Sequence, residues 1–317
     1  MTSRNCSCGS ARPAENADRA QYLANRLNAG SLIGPASSDR YDEPMTSALL
    51  DFVDRHRRLF VLTGAGCSTA SGIPDYRDAN GDWKRAQPVM LQNFLADELT
   101  RKRYWARSLV GWRRMGAARP NEAHRALAVL EQGGRVEQLV TQNVDGLHQA
   151  AGSRNVIDLH GRIDVVRCLA CGQRVPRQDV QAELVRRNPG FAGQDARTAP
   201  DGDADLDAVD FAAFDVPPCP GCGGVLKPDV VFFGEGVPKE RVARTMAGLE
   251  RSDAMLVVGS SLMVYSGYRL VVAMAQAGKP IAAVNLGRTR ADDLLTLKIS
   301  EDCSTALGAL GAFLLTP

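Results

Sequence analysis

Two sets of residues in this 317-residue chain have the types and spacing to do chemistry. The first is a pair of knuckles, Cys168-Leu-Ala-Cys171 and Cys219-Pro-Gly-Cys222. Each brings two sulfurs to one point, and four thiolates suit a tetrahedral zinc ion at about 2.3 Å. With all four positions filled by cysteine no coordination position stays open, so such an ion holds structure rather than catalyses. The 47 residues between the pairs exceed the roughly 15–20 of a compact ribbon, so the chain makes a long excursion and returns. A redox role is the alternative, but a redox pair more naturally opens a helix beside a strand. The second set is "TGAGCSTASGIPDYRD", Thr63 to Asp78, directly after the apolar run "LFVLT". Small residues after a strand let backbone N–H groups approach a pyrophosphate. The third position of the dinucleotide fingerprint falls on Thr69 rather than glycine, so this loop taken alone leaves a nucleotide site undecided.

Four histidines are available as a base: His56, His124, His148 and His160. His56 reads as a solvated helix residue, His124 as a packing residue of an amphipathic helix, and His148 as support for the fold. His160 ends the apolar run "VIDL" and precedes Gly161, at the edge of a sheet where ligands bind. An imidazole with an ordinary pKa of about 6.5 suits proton transfer near neutrality. By itself this position is compatible with catalysis or with packing.

These residues need elements to position them. Strand-like runs "LFVLT", "VEQLVT", "NVIDLH", "AMLVVGS" and "PIAAVNL" alternate with helix-like segments such as "NEAHRALAVLEQ" and "KERVARTMAGLERS". That alternation predicts an α/β fold with a doubly wound, parallel Rossmann-type sheet, whose ligands bind at the carboxyl ends of the strands. Residues 162–236 break the pattern. They hold both cysteine pairs and an acidic stretch that reads as a solvated loop, and they predict a small inserted zinc-binding module. The expected division is a flexible extension over 1–44, a discontinuous Rossmann-type domain over 45–161 and 237–317, and the module between.

Composition narrows the class. The apolar share is 44%, the charged share 23% and the net charge +2, so there is no strong electrostatic footprint for nucleic acid. No run of about 18 apolar residues exists to span a membrane, and the N-terminus lacks the apolar core of a secretory signal. A cytoplasmic location is expected, where the eight cysteines stay reduced.

Read together, "GAGCSTASGIPDYRD", "TQNVDGLH" (141–148), "LHG" (159–161), the cysteine pairs, "KPDVVFFGE" (227–235), "GSS" (259–261) and "NLG" (285–287) resemble, in order, the motifs of the sirtuin family of NAD-dependent protein lysine deacylases. The resemblance covers roughly residues 45–317. It implies that NAD is cleaved as a co-substrate: the loop that holds the dinucleotide also helps to break it. Gly64, Ala65, Gly66 and Thr69 then surround the phosphates and nearby ribose, with Arg77 offering a cation. Ile73 and Asp75 hold the nicotinamide, and Tyr76 shields the ribose carbon. His160 is the base, with Asn143 and Asp145 orienting ribose and a water and Gln142 beside them. Gly259, Ser260 and Ser261 give further phosphate and ribose contacts, Asn285, Leu286 and Gly287 receive the adenosine ribose, and Cys303 lies near the adenine. Val231 and Phe232 line a tunnel for an acyl-lysine of a protein or peptide substrate, which pairs by strand addition. The wording of "IPDYRD" and "GSSLMVYSGYRL" is most like the class II branch. The Tyr-x-x-Arg pair of members specialised for acidic acyl groups is replaced by Arg107-Ser108-Leu109-Val110. Mono-ADP-ribosyl transfer and nonenzymatic NAD or ADP-ribose sensing are the alternative functions.

Overall fold

The structure, a computed structural model, describes residues 44–84, 88–194, 206 and 210–315. The expected extension before Pro44 and most of the acidic stretch between the cysteine pairs lie outside the described residues.

Six strands form the main sheet: β1 (Leu59–Thr63), β2 (Val136–Thr141), β3 (Val156–Asp158), β7 (Ala254–Val258), β8 (Ile281–Val284) and β9 (Leu297–Ile299), in the order β3-β2-β1-β7-β8-β9. Every neighbouring pair is parallel. The central strands are buried on both faces, so they read as unbroken apolar runs rather than alternating ones. Their two-residue period still sorts the side chains. Leu59 and Val61 of β1 pack with the helices Glu122–Gln132 and Cys303–Leu315, whereas Phe60 and Leu62 pack with Lys239–Arg251 and Tyr265–Gln276. β9, only three residues long at the edge of the sheet, was not expected from the sequence.

The order reverses between β1 and β7. Chain leaving β1 proceeds to β2 and β3 on one side, and returns to β7, β8 and β9 on the other. This is the topological switch point at which open α/β sheets leave a crevice. Two loops cross there. Gly64 N–H donates to the Val258 carbonyl at 2.9 Å, and Gly66 N–H to the Gly259 carbonyl at 2.8 Å. Gly259 has a left-handed backbone (φ +63°), and a Cβ on it would lie 2.2 Å from the Cys67 nitrogen. The glycines are therefore required by the contact of the loops with each other, besides any ligand.

A smaller antiparallel sheet, β5-β4-β6, is made by β4 (Gly161–Cys168), β5 (Arg174–Pro176) and β6 (Leu226–Val230). Its core includes Trp105 and Leu109 of the long helix Glu98–Ala117, with Leu184, Phe214 and Phe232. That helix is parted from Leu91–Ala96 at Asp97, whose carboxylate caps it through the N–H groups of Leu99 and Thr100. The two sheets meet at His160. Gly161 has φ +84°, and a Cβ there would sit 2.0 Å from the Asp229 carbonyl oxygen. No other residue lets β4 lie so close to β6 at its first position.

Candidate active site

A cleft of about 730 Å³ opens at the switch point. The crossed loops supply Gly64, Ala65, Gly66 and Thr69 on one side and Gly259, Ser260 and Ser261 on the other. Asn285, Leu286 and Gly287 follow β8, and Cys303 opens the last helix; both reach the same cleft. Its opposite wall is the extended segment after β6, including Val231 and Phe232. Asp75, Tyr76, Arg77, Gln142, Asn143 and His160 complete the set of sequence-predicted residues that line it.

His160 is fixed from three directions. Its carbonyl accepts from the Val231 N–H at 2.7 Å, tying it to the end of the small sheet. Its Nδ1 lies 2.8 Å from the Gln142 carbonyl oxygen. A carbonyl only accepts, so Nδ1 carries the proton and Nε2 presents a lone pair. Nε2 in turn accepts from the Ser266 hydroxyl at 2.7 Å. Burial lowers the His160 pKa to about 4, against a raising effect of the Gln142 carbonyl and a further lowering by Arg241. The ring is therefore neutral, and its lone pair, held by the Ser266 hydroxyl, lies beside the cleft.

A polar chain braces the floor. Asn143 Nδ2 donates to the Gly64 carbonyl at 2.9 Å and to Ser68 Oγ at 3.0 Å. Ser68 Oγ donates to Asp145 Oδ2 at 2.7 Å. The other Asp145 oxygen accepts from the Leu147 N–H at 2.9 Å, at the start of the helical turn Leu147–Ala150. Gln142 Nε2 donates to Ser260 Oγ at 2.7 Å, joining β2 to the loop after β7. Two of the expected residues do not line the cleft. Asp145 stands one layer behind its wall, with one carboxylate oxygen accepting from Ser68 and the other from the turn. Ile73 is 6% exposed and packs among Met115, Val144, Leu147 and Ile163, beneath the cleft rather than in it.

The mouth of the loop is held by a stack the motifs did not announce. The Arg77 guanidinium lies 3.6 Å over the Trp83 ring and donates to the Gly81 carbonyl at 3.0 Å. Trp83 meets Tyr76 edge-on at 6.0 Å and Phe233 at 5.7 Å. Asp75 pairs with Lys84 at 2.5 Å, so its carboxylate already has a cationic partner. Ser266 and Arg269, one helical turn apart, also line the cleft. Arg269 Nε is buried with no hydrogen-bond partner among the described residues. Both fall within "GSSLMVYSGYRL", but only 259–261 of that stretch were assigned a site role from sequence; their shared helical face, read together with the loop that precedes them, is the signal that was available. None of Arg107 to Val110 lines the cleft, and Ser108, Leu109 and Val110 are buried.

The four cysteines of the knuckles converge at the end of β4, their sulfurs all within 4.8 Å of one another. Cys168 and Cys222 sulfurs are 3.5 Å apart, and Cys171 and Cys219 3.8 Å. Tetrahedral zinc with sulfur at about 2.3 Å requires separations of about 3.8 Å, so the donor set fits the ion. Backbone N–H groups of Cys171 and, less strongly, Ala170 pull the Cys168 thiol down to about 6 and favour the thiolate form that zinc needs. At Cys222 the Gly224 N–H acts the same way, but hydrogen bonding with the neighbouring sulfurs outweighs it and pushes this thiol up to about 12.

Residues 64–266 match the Sir2 family. The chain is 67% identical over 263 residues to an NAD-dependent protein deacetylase of Xanthomonas campestris pv. campestris, covering 83% of this chain and 90% of that protein. It is 48% identical over 279 residues to NAD-dependent protein deacetylase 3 of Pseudomonas syringae pv. tomato, covering 86% and 99%. Among solved structures it resembles one described as "Sir2-p53 peptide-NAD+", with a TM-score of 0.67 and 32% identity over 83% of this chain and 95% of the other. A second, "Sir2 bound to acetylated peptide", has the same score, identity and coverage.

Proposed function

This chain belongs to the Sir2 family, and from that premise we propose how its residues carry out NAD-dependent protein deacylation. The activity is removal of an acyl group from lysine with NAD as co-substrate, and the substrate is an acylated protein or peptide. One zinc ion, held by Cys168, Cys171, Cys219 and Cys222, braces the small sheet. It supplies no step of the reaction.

The observation that carries the assignment of roles is the His160 lone pair beside the cleft, with the opposite ring nitrogen locked by the Gln142 carbonyl. NAD lies across the crossed loops, its pyrophosphate on the backbone of Gly64 to Gly66 and the hydroxyls of Thr69, Ser260 and Ser261. Nicotinamide leaves from the ribose C1′ as the acyl oxygen attacks there, giving an alkylamidate. A ribose hydroxyl then adds to the amidate carbon as His160 Nε2 takes its proton; the lysine nitrogen leaves with a proton, and a water adds to the same carbon, whose bond to the C1′ oxygen opens to give acyl-ADP-ribose. Asn143 orients the ribose. Asp145 acts through Ser68, holding that hydroxyl so that it accepts from Asn143. Val231 and Phe232 flank the acyl-lysine, and Arg77 faces the phosphates. Asp75, Tyr76 and Ile73 shape the nicotinamide end, Ile73 from below.

Two wider assignments belong to the same proposal. Residues 45–161 and 237–317 form the NAD-binding domain and 162–236 the zinc module, in keeping with two sheets that meet at His160. The protein acts in the cytoplasm, where six cysteines that are free among the described residues stay reduced and four of them remain able to hold a metal.

The test is mass spectrometry of the products from NAD and a panel of acyl-lysine peptides. The expected products are nicotinamide, free lysine peptide and acyl-ADP-ribose. ADP-ribose left on a protein or peptide acceptor would move the function to ADP-ribosyl transfer. NAD intact after long incubation with every acceptor would reduce the protein to a sensor.

A further inference from the structure

Behind the nucleotide loop lies a cluster that the reaction does not use. Cys67, His124 and His148 are 1%, 0% and 1% exposed. They come from three separate places: the crossed loop, the helix Glu122–Gln132, and the turn after β2. The thiol sulfur and one nitrogen of each ring lie within 4.8 Å of one another.

Two further observations point to a ligand. His124 Nε2 and His148 Nδ1 are buried with no hydrogen-bond partner among the described residues, which native interiors rarely tolerate. The other nitrogen of each ring is engaged by an oxygen. His148 Nε2 donates at 2.9 Å to Thr63 Oγ1, whose own proton goes to Thr141 Oγ1, so His148 Nδ1 keeps a lone pair. His124 Nδ1 meets both Asn121 Oδ1 at 3.0 Å and the Asn121 backbone N–H at 3.3 Å; the site uses the tautomer in which Nδ1 donates to the nearer oxygen and Nε2 keeps its lone pair. Oxygen on the far nitrogen is the outer arrangement that orients a metal-binding imidazole. The Cys67 thiol is free.

Size and charge narrow the ion. Donors no more than 4.8 Å apart surround a point within about 2.8 Å of each, and a contraction of roughly 0.5 Å gives bond lengths of 2.0–2.3 Å. One thiolate and two neutral imidazoles carry a single negative charge. A monovalent ion makes the buried centre neutral, whereas a divalent one leaves a net charge in an apolar interior. Soft thiolate ligation favours Cu(I) among such ions.

We propose that Cys67, His124 and His148 form a second metal site, for monovalent copper, beneath the nucleotide loop. Binding exchanges the Cys67 S–H bond for an S–Cu bond and releases one proton; no electron moves. Bound copper ties the loop to the helix that already holds it, where Asn121 Nδ2 donates to the Cys67 carbonyl at 2.8 Å. Ser68, the next residue, anchors Asp145, so occupancy of this site reaches the floor of the cleft.

The test uses the zinc-loaded full chain, titrated anaerobically with Cu(I) buffered by excess bicinchoninate, and counts copper and zinc after desalting. The expected result is one copper per chain with zinc retained, at least tenfold weaker uptake in Cys67→Val, and a copper-dependent rise in the unfolding temperature of the unsubstituted chain only. Copper K-edge absorption of the unsubstituted chain should give one sulfur and two nitrogens, a readout independent of how the variant folds. No uptake, equal uptake by the variant, copper gained only as zinc is lost, or an all-sulfur shell would each overturn the proposal.

Discussion

His160 and His148 sit in matching surroundings and do different things. Both follow strands of the main sheet, both have one ring nitrogen against a hydroxyl (Ser266 at 2.7 Å, Thr63 at 2.9 Å), and burial depresses both pKa values. They differ in what lies on the open side of the ring. Beside His160 is a cleft wide enough for a dinucleotide and a side chain. Beside His148 are His124, with ring centres 4.8 Å apart, and the underside of the nucleotide loop. A depressed histidine pKa therefore reports burial in this protein, and only access separates a base from a structural ring.

The sharpest break of that comparison is to delete each ring. His160→Ala should lower kcat by about 10²–10⁴-fold, the range that a positioned base contributes. Its unfolding temperature should stay within a few degrees, since the lost ring faced a cleft. Acyl-dependent nicotinamide release and thermal melts on one preparation measure both. Wild-type turnover in this variant would remove His160 from the chemistry.

His148→Ala should show the inverse. The change opens a cavity in the interior and leaves Thr63 Oγ1 without its imidazole partner, a cost of about 3 kcal/mol. In a chain of this size that lowers the unfolding temperature by roughly 4–5 °C. Turnover per folded molecule should fall far less than in His160→Ala. Equal losses of kcat in the two variants would erase the distinction drawn between them.

The pH profile sharpens the comparison without mutation. A base works in its neutral form, and His160 is lowered from its ordinary 6.5 to about 4. Its neutral fraction is thus complete above the ordinary value and declines only as pH falls towards 4. The acid limb of kcat/KM should lie more than one unit below 6.5, measured over the range in which the fold persists. A limb at 6.5 would mean that the ring is solvated in the free enzyme.

Sequence alone carried much of this, unevenly. Long apolar runs such as "AMLVV" fix central strands because both faces are buried, and their alternation with helices implies the parallel sheet. β9 escaped because three edge residues bury too little to form a pattern. The motif residues were legible as chemistry because small, polar and charged types crowd after strands where no core needs them. Depth was not legible. Asp145 and Ile73 belong to the same motifs as Asn143 and Asp75, yet both point below the cleft, and only coordinates separate wall from foundation. Ser266 meets His160 across 106 residues, so no local spacing announces that contact, whereas Trp83 stacks on Arg77 within the same loop and only its folding-back hid it. The pairing of Cys67 with two histidines likewise depends on where a loop, a helix and a turn converge.

Ser266 offers the smallest and most specific test. Its hydroxyl donates to the His160 lone pair, the atom proposed to receive the ribose proton, so on that proposal it occupies the place that a substrate hydroxyl takes or relays through. Donation to Nε2 stabilises the neutral ring and helps to keep its pKa low. Ser266→Ala removes a hydrogen bond worth about 0.5–1.5 kcal/mol, so the His160 pKa should rise by roughly 0.4–1 unit. The acid limb should move up by that amount while kcat on its plateau changes only a few-fold. Threonine at the same position keeps the donor and should leave the limb where it was. A purely structural serine would alter the melting temperature and leave the limb fixed in both variants. Movement of the limb in alanine but not in threonine ties this hydroxyl to the base.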